Sequence, residues 1–235
     1  MLKKAFIFAL LVVFAVMLFR TYGFKSSDQQ LNEVATRYAE KGPEEVGAAN
    51  LVTAVIVTYR GLDTLGEVTI LFLAASIIGF VLKIRDDEPT AYNPKIRKAS
   101  EILDTAATVI TPLIFLFGIY VFINGHLTPG GGFQGGAIVA SALVLMLLAN
   151  PVKKVNHRII SVVESISGFS FIILGILGLL LASGFLDNAI ISLGNFGELI
   201  SAGAIPIIYI FIGLKVGSEL SGIVSNLQET QKEEI

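Results

Sequence analysis

Apolar residues along this chain gather into long blocks, at about 5–19, 46–59, 65–84, 102–124, 132–150, 157–183 and 196–217, each bounded by charged, proline or glycine-rich punctuation. Blocks of this length and purity are how helices read when lipid rather than water surrounds them. The predicted fold class is all-α, a polytopic membrane protein with about seven transmembrane helices. The block at 46–59 is the short one. About 14 residues at 1.5 Å rise reach only about 21 Å, against a ~30 Å hydrocarbon core, so it is either a short span helped by neighbours or a re-entrant piece. The first block follows Lys3 and Lys4 and precedes Arg20, as in a secretory signal or an anchor. Phe19-Arg20-Thr21-Tyr22 offers no small-x-small cleavage pattern, so a retained anchor helix is expected.

The breaks organise the chain. Residues 21–45 are polar and of mixed charge and read as an aqueous connection. The main boundary is 85–100, where Asp86, Asp87 and Glu88 give way to Pro89 and Pro94 and then to Lys95, Arg97 and Lys98. It divides a three-helix segment, 1–84, from a four-helix domain, 101–220, with a charged tail from 221 to 235 whose last residues are expected to fray. A glycine-rich turn at 124–132, a basic turn containing Lys153, Lys154 and Arg158, and a short loop at 184–195 connect the four helices. If all the blocks cross, the segments 20–45, 83–100, 150–158 and the C-terminus share one side. That side holds the basic residues other than Lys3, Lys4 and Arg60. The positive-inside rule makes it cytoplasmic, with the N-terminus outside, and the same count favours 46–59 as a true crossing.

Composition narrows the function classes. The chain is 54% hydrophobic and 15% charged with mean hydropathy +0.76, too little polar material to cover a water-facing surface. A net charge of −2 without any basic stripe argues against a nucleic-acid partner. The absence of cysteine removes disulfides, thiolate metal sites and iron–sulfur ligation together. With His126 and His157 as the only imidazoles, no metal or haem site is expected, and any redox chemistry belongs to a partner.

Ionisable residues inside apolar blocks are the remaining signal, because they are costly in lipid, at least ~2.5 kcal/mol each on the insertion scale, and are retained mainly for transport. Asp63 and Glu67 stand at the mouth of a helix, where Thr64-x-x-Glu67 also matches a capping box, and the two roles are compatible. Glu164 lies about five residues inside the sixth block, placing it about 7–8 Å below the interface. It either pairs in the interior or reaches back to Arg158 or Lys154. Lys215 and Glu219 are spaced i, i+4 near the end of the last block and read as an interfacial anchor and surface pair. Asp104 and Glu198 open helices, where a carboxylate suits the helix dipole. His126 titrates near neutrality in principle, but reads first as a histidine hydrogen-bonded to its own turn. Gly130, Gly131, Gly132, Gly135 and Gly136 cannot favour a helix interior, so their use is positive φ in the turn and close approach of neighbouring helices. Pro112 and Pro206 fall inside helical blocks and mark either a hydrated path or a packing kink.

The stretch from Gly125-His126-Leu127-Thr128-Pro129 through Gly136, followed by the small-residue helix 137–148, resembles the B subunit of Mrp-type multisubunit Na⁺/H⁺ antiporters. Asn50-x-x-x-Ala54-x-Ile56-Val57-x-x-Arg60-Gly61-x-Asp63-Thr64-Leu65-Gly66-Glu67 looks like the C-terminal end of the large A subunit of that system. That end also occurs as a separate small subunit in archaeal membrane-bound hydrogenases and related sulfur-reducing complexes. The resemblances cover about 100–220 and 45–84, on either side of the linker. They imply a subunit of a monovalent cation/H⁺ antiporter module in the cell membrane, free-standing or within a respiratory complex. Antiporter-like subunits, and hydrogenase-like or sulfur-reductase subunits, are the implied partners. No cofactor is implied in this chain, Na⁺ and H⁺ are the transported ions, and no catalytic role is expected. The competing reading is a passive scaffold without an ion site of its own.

Overall fold

The computed structural model describes residues 2–21, 32–86, 100–150 and 155–234, and these form two compact units, 1–36 and 37–235. In the first unit, α1 (Leu2–Thr21) carries the apolar stretch Ile7–Arg20, every side chain of which is exposed. A helix apolar on every side and uncovered is suited to lipid. The linker residues 87–99 and the basic turn residues Lys153 and Lys154 lie outside the described residues.

The supposed aqueous connection is helical in its second half. Asn32 Oδ1 accepts from the Ala35 N–H at 2.8 Å and opens α2 (Glu33–Val46). Next come three α-helical residues, α3 (Leu51–Thr53), which run on as a six-residue π-helix, Ala54–Tyr59. Nine residues at 1.5 Å rise reach only ~14 Å, less than half of the hydrocarbon core, so this helical piece is too short to cross on its own. Tyr59 ties it to α2: its hydroxyl donates to Glu45 at 2.6 Å and its ring stacks on Tyr38 with centroids 4.6 Å apart. A π-helix displaces carbonyls from their i+4 partners. Thr64 answers this by donating to the Ile56 carbonyl at 2.9 Å. Thr64 therefore caps nothing, because α4 already begins at Gly61.

Five described helices are long and apolar enough to cross a membrane: α4 (Gly61–Asp86), α5 (Glu101–Ile123), α6 (Gly132–Ala149), α7 (His157–Leu181) and α8 (Ile205–Glu234). The helix α8 is the axle: α4, α5, α6 and α7 all pack on it, and α5 also packs on α6. In its crossing segment 56% of residues are buried, against 6% in that of α4, which turns nearly all of its surface outward. Small residues let the backbones close up. A Cβ at Gly132 would stand 2.6 Å from Ile212, and one at Gly135 would stand 2.6 Å from the Gly118 carbonyl. Between apolar helices in lipid, such contact replaces the hydrophobic effect as the source of association.

The last helix starts nine residues later than its hydropathy suggests. Gly194, Gly197, Ala202 and Gly203 all take positive φ, which holds 191–204 as loop, and Pro206 falls in the first turn of α8, where its missing N–H disturbs nothing. Glu198 is thus an exposed loop residue and opens no helix, and the charged tail stays helical to Glu234.

Asn188 locks this end of the bundle. Its amide donates to the carbonyls of Val46 at 2.8 Å and Ala202 at 3.0 Å, its oxygen accepts from Thr58 at 3.2 Å, and the residue is 1% exposed. Asn188→Ala strands two buried carbonyls at a cost of about 1–3 kcal/mol each, and is expected to lower the thermal midpoint of the purified protein, read by fluorescence-detected gel filtration. An unchanged midpoint would show the latch to be redundant.

Candidate functional site

The most unusual chemistry lies where α4, α7 and α8 meet. Lys215 Nζ sits 2.5 Å from Glu219 Oε1 on its own helix, one turn on, and 3.3 Å from Glu164 Oε1 on α7. Phe72 of α4 covers the ammonium, its ring centroid 4.6 Å away. The side chains of Lys215, Glu219 and Glu164 are 8%, 0% and 26% exposed, and Glu219 Oε2 has no hydrogen-bond partner among the described residues. Glu164 is seven residues along α7 and Glu219 nine residues before Gln228, where the apolar stretch of α8 ends, so the two lie ~10 and ~14 Å inside their apolar segments.

Sequence spacing makes the trio possible. An i, i+4 pair shares one face of α8, and Gly168 on α7 leaves room for the lysine stem, since a Cβ there would stand 3.2 Å from Lys215 Cε. Phe72 adds cation–π attraction of order ~2 kcal/mol at a desolvated site. One ammonium against two carboxylates leaves the cluster one positive charge short of neutral, which favours a mobile cation or proton. Two clefts reach it. One of about 220 Å³ is lined by Ser76, Gly79, Glu164, Glu219 and Asn226, and a second of about 230 Å³ by Val68, Thr69, Phe72, Glu164 and Lys215.

This arrangement corrects the reading of Lys215 and Glu219 as an interfacial surface pair. Both are buried because α8 is the central helix, so no face of it at that depth is a surface. Glu164 is an interior paired carboxylate, and its partner is Lys215 rather than Arg158 or Lys154. Asp63 and Glu67 are not part of the cluster. Asp63 pairs with Arg60 at 2.5 Å on the surface, while Glu67 is exposed on α4 with no ion-pair partner among the described residues. Asp104 lies in the first turn of α5, where Ser100 Oγ caps the helix by accepting from the Leu103 N–H at 3.2 Å.

The glycine-rich turn is a second built feature, at the opposite end of the bundle. Gly130 and Gly131 adopt φ of 151° and 157°, a region that only glycine enters without strain. Asn50 donates to the carbonyls of Gly125 at 2.8 Å and Thr128 at 3.0 Å, and Thr53 donates to Gly125 at 2.6 Å while accepting from Tyr209 at 2.9 Å. The short helical piece therefore plugs into the turn. Asn50, Thr53, Tyr209 and Asn188 are not visible as functional residues in the sequence, because single polar residues beside apolar blocks carry no periodic signal.

His126 is fully buried here, its Nε2 3.4 Å from the Glu198 carbonyl and its Nδ1 without a partner among the described residues. Burial pushes its pKa below the ordinary 6.5, against weaker upward pulls from backbone carbonyls. A depressed histidine contributes stability that is complete above the unfolded value and is lost as pH falls through the folded one. Stability of the turn is expected to drop as pH is lowered below about 6.5, and His126→Gln to flatten that slope, measured as thermal midpoint against pH. An equal slope in both proteins would remove His126 as its source.

Comparison with known proteins agrees with this architecture. The family described as a domain related to the MnhB subunit of Na⁺/H⁺ antiporters matches residues 102–222, and the MbhE family, named for the E subunit of MBH, matches residues 3–96. An uncharacterized protein of Methanocaldococcus jannaschii is 30% identical over 196 residues, covering 73% of this chain and 74% of that one. The B subunit of the Na⁺/H⁺ antiporter of Bacillus subtilis is 43% identical over 81 residues, 34% of this chain and about half (51%) of that protein's length. Among solved structures, a chain of the membrane-bound sulfane sulfur reductase, an archaeal respiratory membrane complex, superposes with TM-score 0.80 at 40% identity, covering 97% of this chain and 98% of that one. The Mrp complex of Dietzia sp. shares the fold, with TM-score 0.74 at 24% identity over 96% of this chain and 26% of that one. The chain is a multi-pass membrane protein and belongs to the family of domains related to the MnhB subunit of Na⁺/H⁺ antiporters.

Proposed function

We propose that this chain is a subunit of a multisubunit monovalent cation/H⁺ antiporter module, carried within a respiratory membrane complex, and that Glu164, Lys215 and Glu219 take part in moving the ion. The observation that carries this reading is the buried trio: two acids and one base within apolar helices, reached by a partly polar cleft beside Glu164 and Glu219 and in excess of what packing requires. The lysine can neutralise one carboxylate at a time. When Na⁺ or H⁺ arrives at one, the ammonium is released toward the other, and coupling follows from that competition. Asp63 and Glu67, on the outward face of α4, are proposed to supply the connection to a neighbouring antiporter-like subunit. The fit to the sulfur reductase chain over nearly its whole length supports the respiratory setting. The two family matches support a fusion of an MbhE-like segment with an MnhB-like domain, meeting near the linker at 85–100.

Orientation follows from the helix ends. The ends of α4, α7 and α8 that adjoin Lys83, Arg85, Arg158 and Lys232 are proposed to be cytoplasmic by the positive-inside rule, with the glycine-rich turn outside. With 46–59 taken as re-entrant, a spanning α1 would begin inside, the reverse of the placement of the N-terminus that counting the block as a span gives. Accessibility of a cysteine introduced at Lys4 to an impermeant thiol reagent decides this.

The experiment for the ion role uses the whole complex in inverted vesicles, reading radiosodium uptake and assembly on native gels. Glu219→Gln and Glu164→Gln are expected to abolish coupled transport while the complex still assembles. Glu67→Gln is expected to do the same if that acid feeds the path. Normal transport in the first two would leave the chain as a scaffold.

A further inference from the structure

Beside α8, whose contact with α7 is that helix's largest, a groove of about 500 Å³ opens between α7 and the pair α5 and α6. Its walls include Phe115, Ile119, Leu143, Val163 and Leu214, and its few hydroxyls include that of Ser218, which already donates to the Leu214 carbonyl at 2.7 Å. Toward the end of the helices where α5 begins, this groove adjoins a second cleft of about 420 Å³, with Thr111 and Met146 lining both. The second cleft is about half polar, with Asp104, Thr108, Thr111 and Asn150 among Ala107, Pro112, Met146 and Ala149. Thr111 Oγ1 is buried with no hydrogen-bond partner among the described residues, whereas the Thr108 hydroxyl is spent on the Asp104 carbonyl at 2.9 Å. The trough is therefore partly polar near the start of α5 and oily between the helices.

We infer that the trough holds one membrane phospholipid. Its hydrocarbon chain lies between α5, α6 and α7, and its hydrogen-bond-donating headgroup meets Asp104. Water finds too few polar partners in the inner groove to fill it. A phospholipid is favoured over a partner's helix because the trough passes from partly polar lining at Asp104 and Asn150 to apolar lining between α5, α6 and α7, as a headgroup and its chain do. A headgroup is favoured in the outer cleft because the Asp104 carboxylate accepts bonds and has none to give.

The test uses the native complex reconstituted in nanodiscs with diazirine-tailed phosphatidylethanolamine or, as the methylated head without donors, phosphatidylcholine. Photolabelled peptides are then mapped by mass spectrometry. The expected result is labelling at Leu143, Met146 and Val163 above that at the outward-facing Phe117 and Leu180, stronger for the ethanolamine lipid, and reduced roughly three- to tenfold by Asp104→Ala for that lipid alone. Ala142→Phe should close the groove and remove its label while leaving Phe117 and Leu180 labelled. If that variant fails to assemble, the wild-type label distribution decides alone. Labelling no higher in the groove than at Phe117 and Leu180, equal labelling by both lipids, or capture of another subunit by a photoreactive side chain at Leu143 would each overturn the assignment.

Discussion

Lys215→Met is expected to abolish coupled ion transport and to destabilise the bundle more than any other change of one charged residue. Removing the ammonium leaves Glu164 and Glu219 facing one another in a low-dielectric site, and breaking a buried pair from one side costs about 3–5 kcal/mol. The double variant Lys215→Met with Glu219→Gln separates structure from function. It removes one charge of each sign, so assembly should return while transport does not. Native gels and vesicle uptake on the same membranes read the two outcomes. Recovery of transport along with assembly would mean that the trio only holds helices together.

Gly132→Leu is expected to prevent assembly outright. A single Cβ at this position already falls 2.6 Å from Ile212 and 3.1 Å from the Tyr209 carbonyl, and the backbone of α8 cannot yield without moving the plugged turn. Overpacking alone costs about 1–3 kcal/mol, and separating α6 from the central helix adds the loss of one of its two main interfaces. The contrast with Lys215→Met is diagnostic, because neutralising the acids should not restore Gly132→Leu. A complex of normal size with this variant would show that the contact between α6 and α8 has slack enough to take a side chain.

The spans were legible because lipid imposes one rule on every residue of a helix, and 102–124, 132–150 and 157–183 end within two residues of the observed helices. What escaped was local. Nothing in 46–59 announces a π-helix, since the Thr64 hydroxyl that takes up the Ile56 carbonyl belongs to the next helix. The start of α8 was hidden because Phe196, Leu199 and Ile200 are apolar yet lie exposed in a loop shaped by glycines. The charged trio was half visible. Glu164 stood out inside an apolar block, whereas Lys215 and Glu219 looked like a helix end because α8 runs on well past them. The signal that marks them as interior is the run of small residues around them, Gly213, Gly217, Ser218, Ser221 and Gly222, which only a helix surrounded by others has use for.

The division of the trio between two helices also fixes the order in which the charges can be matched during synthesis. Glu219 follows Lys215 by one turn, so α8 enters the bilayer with its charges already balanced. Glu164 is made 51 residues before its lysine, and at 5–20 residues per second α7 waits roughly three to ten seconds for it. Throughout that interval the nascent protein holds a lone acid at membrane depth, and α7 can settle only when the last helix arrives.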